Sequence, residues 1–162
     1  MSKKRTTRPT SASRPSVKRG KDRDVATRKK IVELADAVVK SSLSGREPKI
    51  DIPTRAKSNT VWNKSRGILQ MGSAVQTREL FNLNQAKQFM QTMLHANTIR
   101  ELIEADKTSS LRGVFYKAKH TVAGTKENTF DDQAESDPIL EDLEVSLGSL
   151  RGTKVFMCAW AS

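Results

Sequence analysis

Asn84-Gln-Ala-Lys-Gln-Phe-Met-Gln-Thr-Met-Leu-His-Ala-Asn-Thr-Ile-Arg-Glu-Leu-Ile-Glu-Ala105, followed after Asp106-Lys-Thr-Ser by Ser110-Leu-Arg-Gly-Val-Phe-Tyr-Lys-Ala-Lys-His120, is the stretch that decides the fold. In its first part Ala86, Phe89, Met90, Met93, Leu94, Ile99, Leu102 and Ile103 recur at three- and four-residue spacing. That period predicts a long amphipathic helix, with Asn82 or Asn84 as its cap. The polar residues from Asp106 break the pattern, and Thr108 or Ser109 is placed to cap a second helix. A long helix, a short polar turn and a second helix form a helix-turn-helix arrangement.

The chain has a single tyrosine, Tyr116, and it lies on the second helix. Residues three and four apart share a helix face. Arg112 stands one turn before Tyr116, Lys119 and His120 one turn after, and Leu111, Val114, Phe115 and Ala118 face elsewhere. The phenol is thus expected in a row of cations, not in the core. Gly113 has no side chain to cover it, and glycine costs a helix about 1 kcal/mol relative to alanine. Something is therefore expected to approach the backbone there. A phenol ionises only near pH ~10 and needs activation to act as a nucleophile. Arg112 is suited to stabilising charge on phosphorus or to holding a phosphate in line with the phenol oxygen. The residues alone leave two readings open, amphipathic packing and attack on a phosphodiester.

Other constellations are weaker. His95, His120 and Cys158 are too few and too scattered for a zinc site. His95 reads as a packed or half-exposed helix residue, and His120 as a phosphate contact or, less readily, a general base. Asp131, Asp132, Glu135, Asp137, Glu141, Asp142 and Glu144 invite a magnesium site, but acids also favour a helix N-terminus as a solvated face. Asp22-Arg23-Asp24 follows no strand and reads as chance. Gly148-Ser-Leu-Arg-Gly152-Thr-Lys has the wrong spacing for a phosphate-binding loop, so no ATP site is expected.

Working outward, Asp24 is a candidate cap for a helix to Leu43 through Ile31, Leu34, Ala35, Val38 and Val39, ended by Ser44-Gly45. Ile50 and Ile52 alternate around Asp51 before Pro53, which suggests a short edge strand. Val61-Trp62 and Ile68-Leu-Gln-Met71 flank Asn63-Lys-Ser-Arg-Gly67 as a hairpin. Residues 121–136 read as a loop or short wing. Asp137-Pro138 then reads as a cap and first residue of a helix facing inward with Ile139, Leu140, Leu143, Leu147 and Leu150. The expected organisation is a basic disordered tail at 1–23, a helix within 24–48, a domain at 49–151 and a divergent end at 152–162.

The chain has 162 residues, about one domain. Its 36% apolar content supports a modest core, and its formal charge of +11 is unevenly placed. Residues 1–30 carry twelve Lys/Arg against two Asp/Glu, so the rest is nearly neutral. Such a tail attracts polyanions without reading sequence, or else merely keeps the protein in solution. No apolar face accompanies it, and no run nears the ~18–20 apolar residues that span a bilayer, so membrane attachment is not expected. A single Cys158 excludes an internal disulfide and fits a reducing compartment. The basic start lacks the apolar core of a secretory signal. A soluble, cytoplasmic, nucleoid-associated protein is expected.

Residues from about 50 to 151 resemble the N-terminal portion of the A subunits of archaeal DNA topoisomerase VI, relatives of the meiotic double-strand-break transesterases. The likeness rests on Asn84–Ala105, on Ile103-Glu-Ala-Asp-Lys-Thr-Ser-Ser-Leu-Arg-Gly-Val-Phe-Tyr116, on Phe130-Asp-Asp-Gln and on Glu135-Ser-Asp-Pro-Ile-Leu-Glu-Asp-Leu-Glu-Val. The family motif is an arginine, two residues, then an aromatic pair whose second member is the nucleophile; Arg112 to Tyr116 fit it, with Phe115 first of the pair. The resemblance implies an α+β, mostly α fold, with a winged-helix domain like that of the catabolite activator protein and a short β-hairpin. It implies Tyr116 and Arg112 as catalytic residues, with Lys117, Lys119 and His120 as DNA contacts. Tyr116 would form a 5′-phosphotyrosyl link, displaced later by the free 3′-hydroxyl. It further implies Mg2+, ATP bound by a separate B subunit, and a heterotetramer containing two A subunits that cut double-stranded DNA. Family A subunits continue into a metal-binding Toprim domain, which residues 1–162 lack. Residues 152–162 also leave the family pattern, so a truncated or frameshifted end is expected. Metal-assisted cleavage by this chain alone is not expected. The alternative is a noncatalytic winged-helix DNA-binding protein.

Overall fold

The computed structural model describes residues 18–65 and 67–148. Its centre is the helix expected from the periodic stretch, α2, Leu83–Glu104, which Asn82 caps by accepting the Asn84 N–H at 3.1 Å. Around it lie α1 (Lys18–Leu43), α3 (Leu111–Ala118) and α4 (Gln133–Leu147). Four short strands, β1 (Lys49–Pro53), β2 (Thr60–Asn63), β3 (Ile68–Met71) and β4 (Val75–Glu79), precede α2. They form two antiparallel pairs, β1 with β4 and β2 with β3, so the second pair is inserted into the first. The protein is α+β and mostly helical.

The apolar residues divide into three patches against α2. Ile31, Ile99, Leu102, Val114, Leu140, Leu143 and Leu147 join α1, α2, α3 and α4. Phe115, Ala118, Phe130 and Ile139 form a second patch beside Leu94. Ile50 and Ile52 point inward from β1 onto Phe89, with Leu34, Val38, Leu80 and Met93 around them. On the expected inner face of α1, Val39 is instead exposed.

Three helix boundaries differ from expectation. α1 already begins at Lys18, so residues 18–23 are helical and Asp24 lies buried within the helix instead of capping it. The cap of α3 is Ser110, not Thr108 or Ser109; its Oγ accepts the Gly113 N–H at 3.1 Å. α4 starts at Gln133, capped by Asp132, and Pro138 lies inside the helix. The cause is capping one turn earlier than Asp137-Pro138: Asp132 accepts the Glu135 N–H at 2.8 Å, and the Glu135 side chain accepts the N–H of Asp131, the residue before the cap, at 2.9 Å. Leu150, the expected end of that apolar face, and residues 152–162 lie outside the described residues, as do 1–17.

Ser136, on the first turns of α4, bonds His95 of α2, with 2.9 Å between Oγ and Nε2. His95 is 0% exposed, stacks on Phe130 with ring centroids 4.5 Å apart, and leaves Nδ1 without a partner. Burial lowers its pKa from 6.5 to about 4. The unfolded chain takes up this proton below about pH 6.5, whereas the folded chain takes it up only near pH 4. Stability is thus full above pH 6.5 and is lost as pH falls toward 4, by up to ~3 kcal/mol. Urea titrations at pH 7 and pH 4.5 should show this loss, and a well-folded His95→Gln should lack it. An equal loss in both proteins would assign the effect to other groups.

Candidate active site

Ser110 sets the first turn of α3, and the buried Val114, Phe115 and Ala118 fix its rotation. That leaves Arg112 and Tyr116 together on the outer face, with Tyr116 59% exposed. Arg112 Nη2 donates to the Tyr116 hydroxyl at 3.2 Å, and the guanidinium carbon lies 5.6 Å from the ring centroid. The phenol oxygen raises the pKa of Arg112, first through this hydrogen bond and then through charge. Phe115 supports the ring from below at 5.1 Å between centroids. A phenol oxygen and a cation on one solvent-facing turn are therefore preassembled.

The expected row of cations does not continue past Tyr116. α3 ends at Ala118, and Lys119 is already extended at φ −75° and ψ 118°. Thr129 is the reason. Its hydroxyl donates to the Ala118 carbonyl at 2.9 Å and accepts the His120 N–H at 3.0 Å, while its own N–H reaches the His120 carbonyl at 2.9 Å. These bonds turn the chain into a short extended arm closed by the Thr121–Asn128 bridge. Lys119 Nζ donates instead to the Asp131 carbonyl at 2.7 Å and lies 5.3 Å from the Phe115 ring centroid. His120 is exposed, its Nδ1 3.0 Å from the Ala118 carbonyl oxygen. Lys117 pairs with Glu101 of α2 at 2.8 Å, which holds the Glu101 carboxyl below its ordinary range. Among the described residues, Arg112 is therefore the cation that meets the phenol.

Gly113 has a local explanation. A β-carbon there would stand 2.4 Å from Ser109 Oγ and 3.3 Å from Ser110 Oγ. The close approach inferred from the glycine comes from the chain itself, from Ser109 first and then from the cap Ser110. Two serines ahead of Arg-Gly were the signal for it.

Residues 87–153 match the family described as type IIB DNA topoisomerase. The A subunit of type 2 DNA topoisomerase 6 from Pyrococcus horikoshii is 42% identical over 123 residues, covering 76% of this chain and 32% of that protein. Its counterpart from Aeropyrum pernix is 39% identical over 130 residues, covering 76% and 32%. That of Methanocaldococcus jannaschii is 37% identical over 131 residues, covering 81% and 34%. This chain belongs to the topoisomerase VI A-subunit family. It spans about a third of the length of the curated relatives it matches.

The topoisomerase VI A-subunit resemblance implied Mg2+, and the acids of the described residues do not fit it. No group of three or more His, Cys, Asp and Glu among them is placed to hold a metal. Their carboxylates are engaged elsewhere: Asp142 with Arg55 and Arg78, Glu141 with Arg55, and Asp131 and Glu135 with Lys87. Asp142 is thus half-buried in an ion pair, not part of a solvated face. No helix among the described residues is long and apolar enough to cross a membrane.

Proposed function

We propose that residues 49–151 are the winged-helix DNA-cleavage portion of a type IIB topoisomerase A subunit, with Tyr116 as nucleophile and Arg112 as its helper. The observation that carries this reading is the contact between Arg112 Nη2 and an exposed Tyr116 hydroxyl, inside the segment matched to the family. α2, its turn and α3 supply the helix-turn-helix, and the arm closed by Thr121 and Asn128 suits a wing.

In the proposed step the Tyr116 oxygen bonds to phosphorus and the bond from phosphorus to the 3′-oxygen breaks. The phenol loses one proton and the 3′-oxygen gains one. The product is a 5′-phosphotyrosine and a free 3′-hydroxyl, and the reverse attack reseals the strand. Arg112 contributes by holding a nonbridging phosphate oxygen beside the phenol, where its charge offsets that developing on phosphorus. Lys117, Lys119 and His120 are proposed to touch the flanking DNA, after Lys117 and Lys119 leave their present partners. The working assembly would be two A subunits with two B subunits that bind ATP, and Mg2+ would need donors beyond the described residues.

The test uses a relative's A subunit in which this chain replaces the matching third, mixed with duplex DNA, Mg2+, ATP and a B subunit. After denaturation, a covalent DNA adduct should map to the peptide containing Tyr116. An adduct on another residue would overturn the assignment. A folded chimera that binds DNA in a salt-sensitive way yet forms no adduct would favour the noncatalytic reading.

A further inference from the structure

The β2–β3 hairpin stands out from the body, with neither strand packed substantially against another element. Its base is built firmly. Asn59 Nδ2 donates to the Thr54 and Ala74 carbonyls at 2.8 and 2.9 Å, and its Oδ1 accepts the Ala74 N–H at 3.0 Å. A β-carbon at Gly72 would meet that Asn59 side chain at 2.5 Å, so glycine lets the strand exit close beside it. Toward the tip, Asn63 bonds Gln70 and Ser65, and Gly67 takes φ +63°.

Trp62 pairs with Leu69 and Thr60 with Met71, which puts all four on one face. Trp62 is 55% exposed, and Leu69 and Met71 are exposed beside it. A lone two-stranded hairpin is marginal in water, and this one spends its apolar residues on solvent. Its charge identifies what covers it. Residues 52–78 contain no Asp or Glu and five Lys/Arg. Arg55 and Arg78 are paired with α4 acids, but no described acid pairs with Lys57 or Lys64, both exposed. Protein interface cores are depleted in lysine, whereas an acid-free cationic ribbon carrying an exposed aromatic matches a nucleic acid. The major groove of B-DNA admits a two-stranded β-ribbon.

We infer that the β2–β3 hairpin is a second duplex-DNA contact, separate from α3, in which Lys57 and Lys64 meet phosphates and the Trp62–Leu69 face is buried against the groove. This rests on the DNA reading above but not on cleavage by Tyr116.

Twelve Lys/Arg in residues 1–30 attract any polyanion by charge alone, so the test needs a local probe as well as a titration. In a Trp160→Phe version of residues 1–162, Trp62 is the only indole. A 30-base-pair duplex should shift its emission and protect it from acrylamide, whereas the same protein concentration without DNA should not. In anisotropy titrations the pair Lys57→Gln/Lys64→Gln should weaken binding roughly 10-fold and lower the salt slope by about two. Trp62→Ala should weaken it roughly 10-fold, the loss expected when an indole buried against the groove no longer removes its apolar area from water. All three side chains are exposed, so circular dichroism and urea midpoints should match the parent. Duplex binding with an unshifted Trp62 and undiminished variants would overturn the hairpin contact and leave the DNA reading standing. Emission that shifts with protein concentration alone would assign the face to a second copy. Absence of any duplex binding by the parent would remove both this contact and the DNA reading.

Discussion

Tyr116→Phe is expected to leave no covalent adduct in the chimeric A subunit, and Arg112→Ala to slow adduct formation by roughly 10²–10³-fold. The two substitutions remove different things. Phenylalanine deletes the oxygen proposed to form the new bond, while the ring keeps its place beside Phe115. Alanine at 112 deletes the donor 3.2 Å from that atom and, among the described residues, the one cation meeting it, because Lys117 and Lys119 are engaged with Glu101 and the Asp131 carbonyl. Arg112→Lys should fall between parent and alanine, since it keeps a charge and loses the planar fork that spans two phosphate oxygens. Both positions are exposed, so the melting curves should superimpose and the rate differences report chemistry. The readout is the fraction of labelled DNA trapped as adduct over time. Adduct surviving Tyr116→Phe would refute the nucleophile, and an unchanged rate in Arg112→Ala would refute the helper.

This pair was legible in the sequence because its logic is local. One turn of helix separates the two residues, and the apolar residues beside them fix which face they share. The same locality made α2, its Asn82 cap and the inward Ile50 and Ile52 readable. What failed depended on bonds the period does not carry. Extending the cation row to Lys119 and His120 assumed that α3 continued, and the bonds that stop it come from Thr129, eleven residues past Ala118. Asp137-Pro138 has the composition of a helix start, but Asp132 already caps the Glu135 N–H one turn earlier, so the helix begins before it.

β4 was unreadable for a related reason. Val75-Gln-Thr-Arg-Glu79 is mostly polar, and its one fully inward residue is Arg78. Strand recognition relies on apolar residues at alternate positions, whereas here the inward position is filled by a charge whose partner, Asp142, lies 64 residues away. The acidic run on α4 reads as a solvated face for the same reason, although part of it balances this arginine.

The same arginine yields the largest expected stability effect. Asp142→Ala should destabilise the fold by about 3–5 kcal/mol, the range for stranding one member of a buried ion pair. Arg78 is 4% exposed, and burial already pulls its pKa down against the pull of Asp142. Without the carboxylate its remaining side-chain bond is Nη1 to Thr92 Oγ1 at 2.6 Å, and Nε has no partner even in the intact protein. Removing the other member should cost less: in Arg78→Met the Asp142 carboxylate keeps Arg55 at 2.7 Å and stays partly in water. Arg55→Ala, at the more exposed end of the same network, should cost under about 1 kcal/mol. Replacing the buried pair by Arg78→Met with Asp142→Leu should recover most of the loss, because an apolar pair of similar volume avoids desolvating two charges. Urea midpoints of the four proteins test this order, and Asp142→Ala no worse than Arg55→Ala would refute it. Since Arg78 ties β4 to α2 and α4, hydrogen exchange in Asp142→Ala should rise first at the β1–β4 ladder, before the α2–α3 contact that presents Tyr116 loosens.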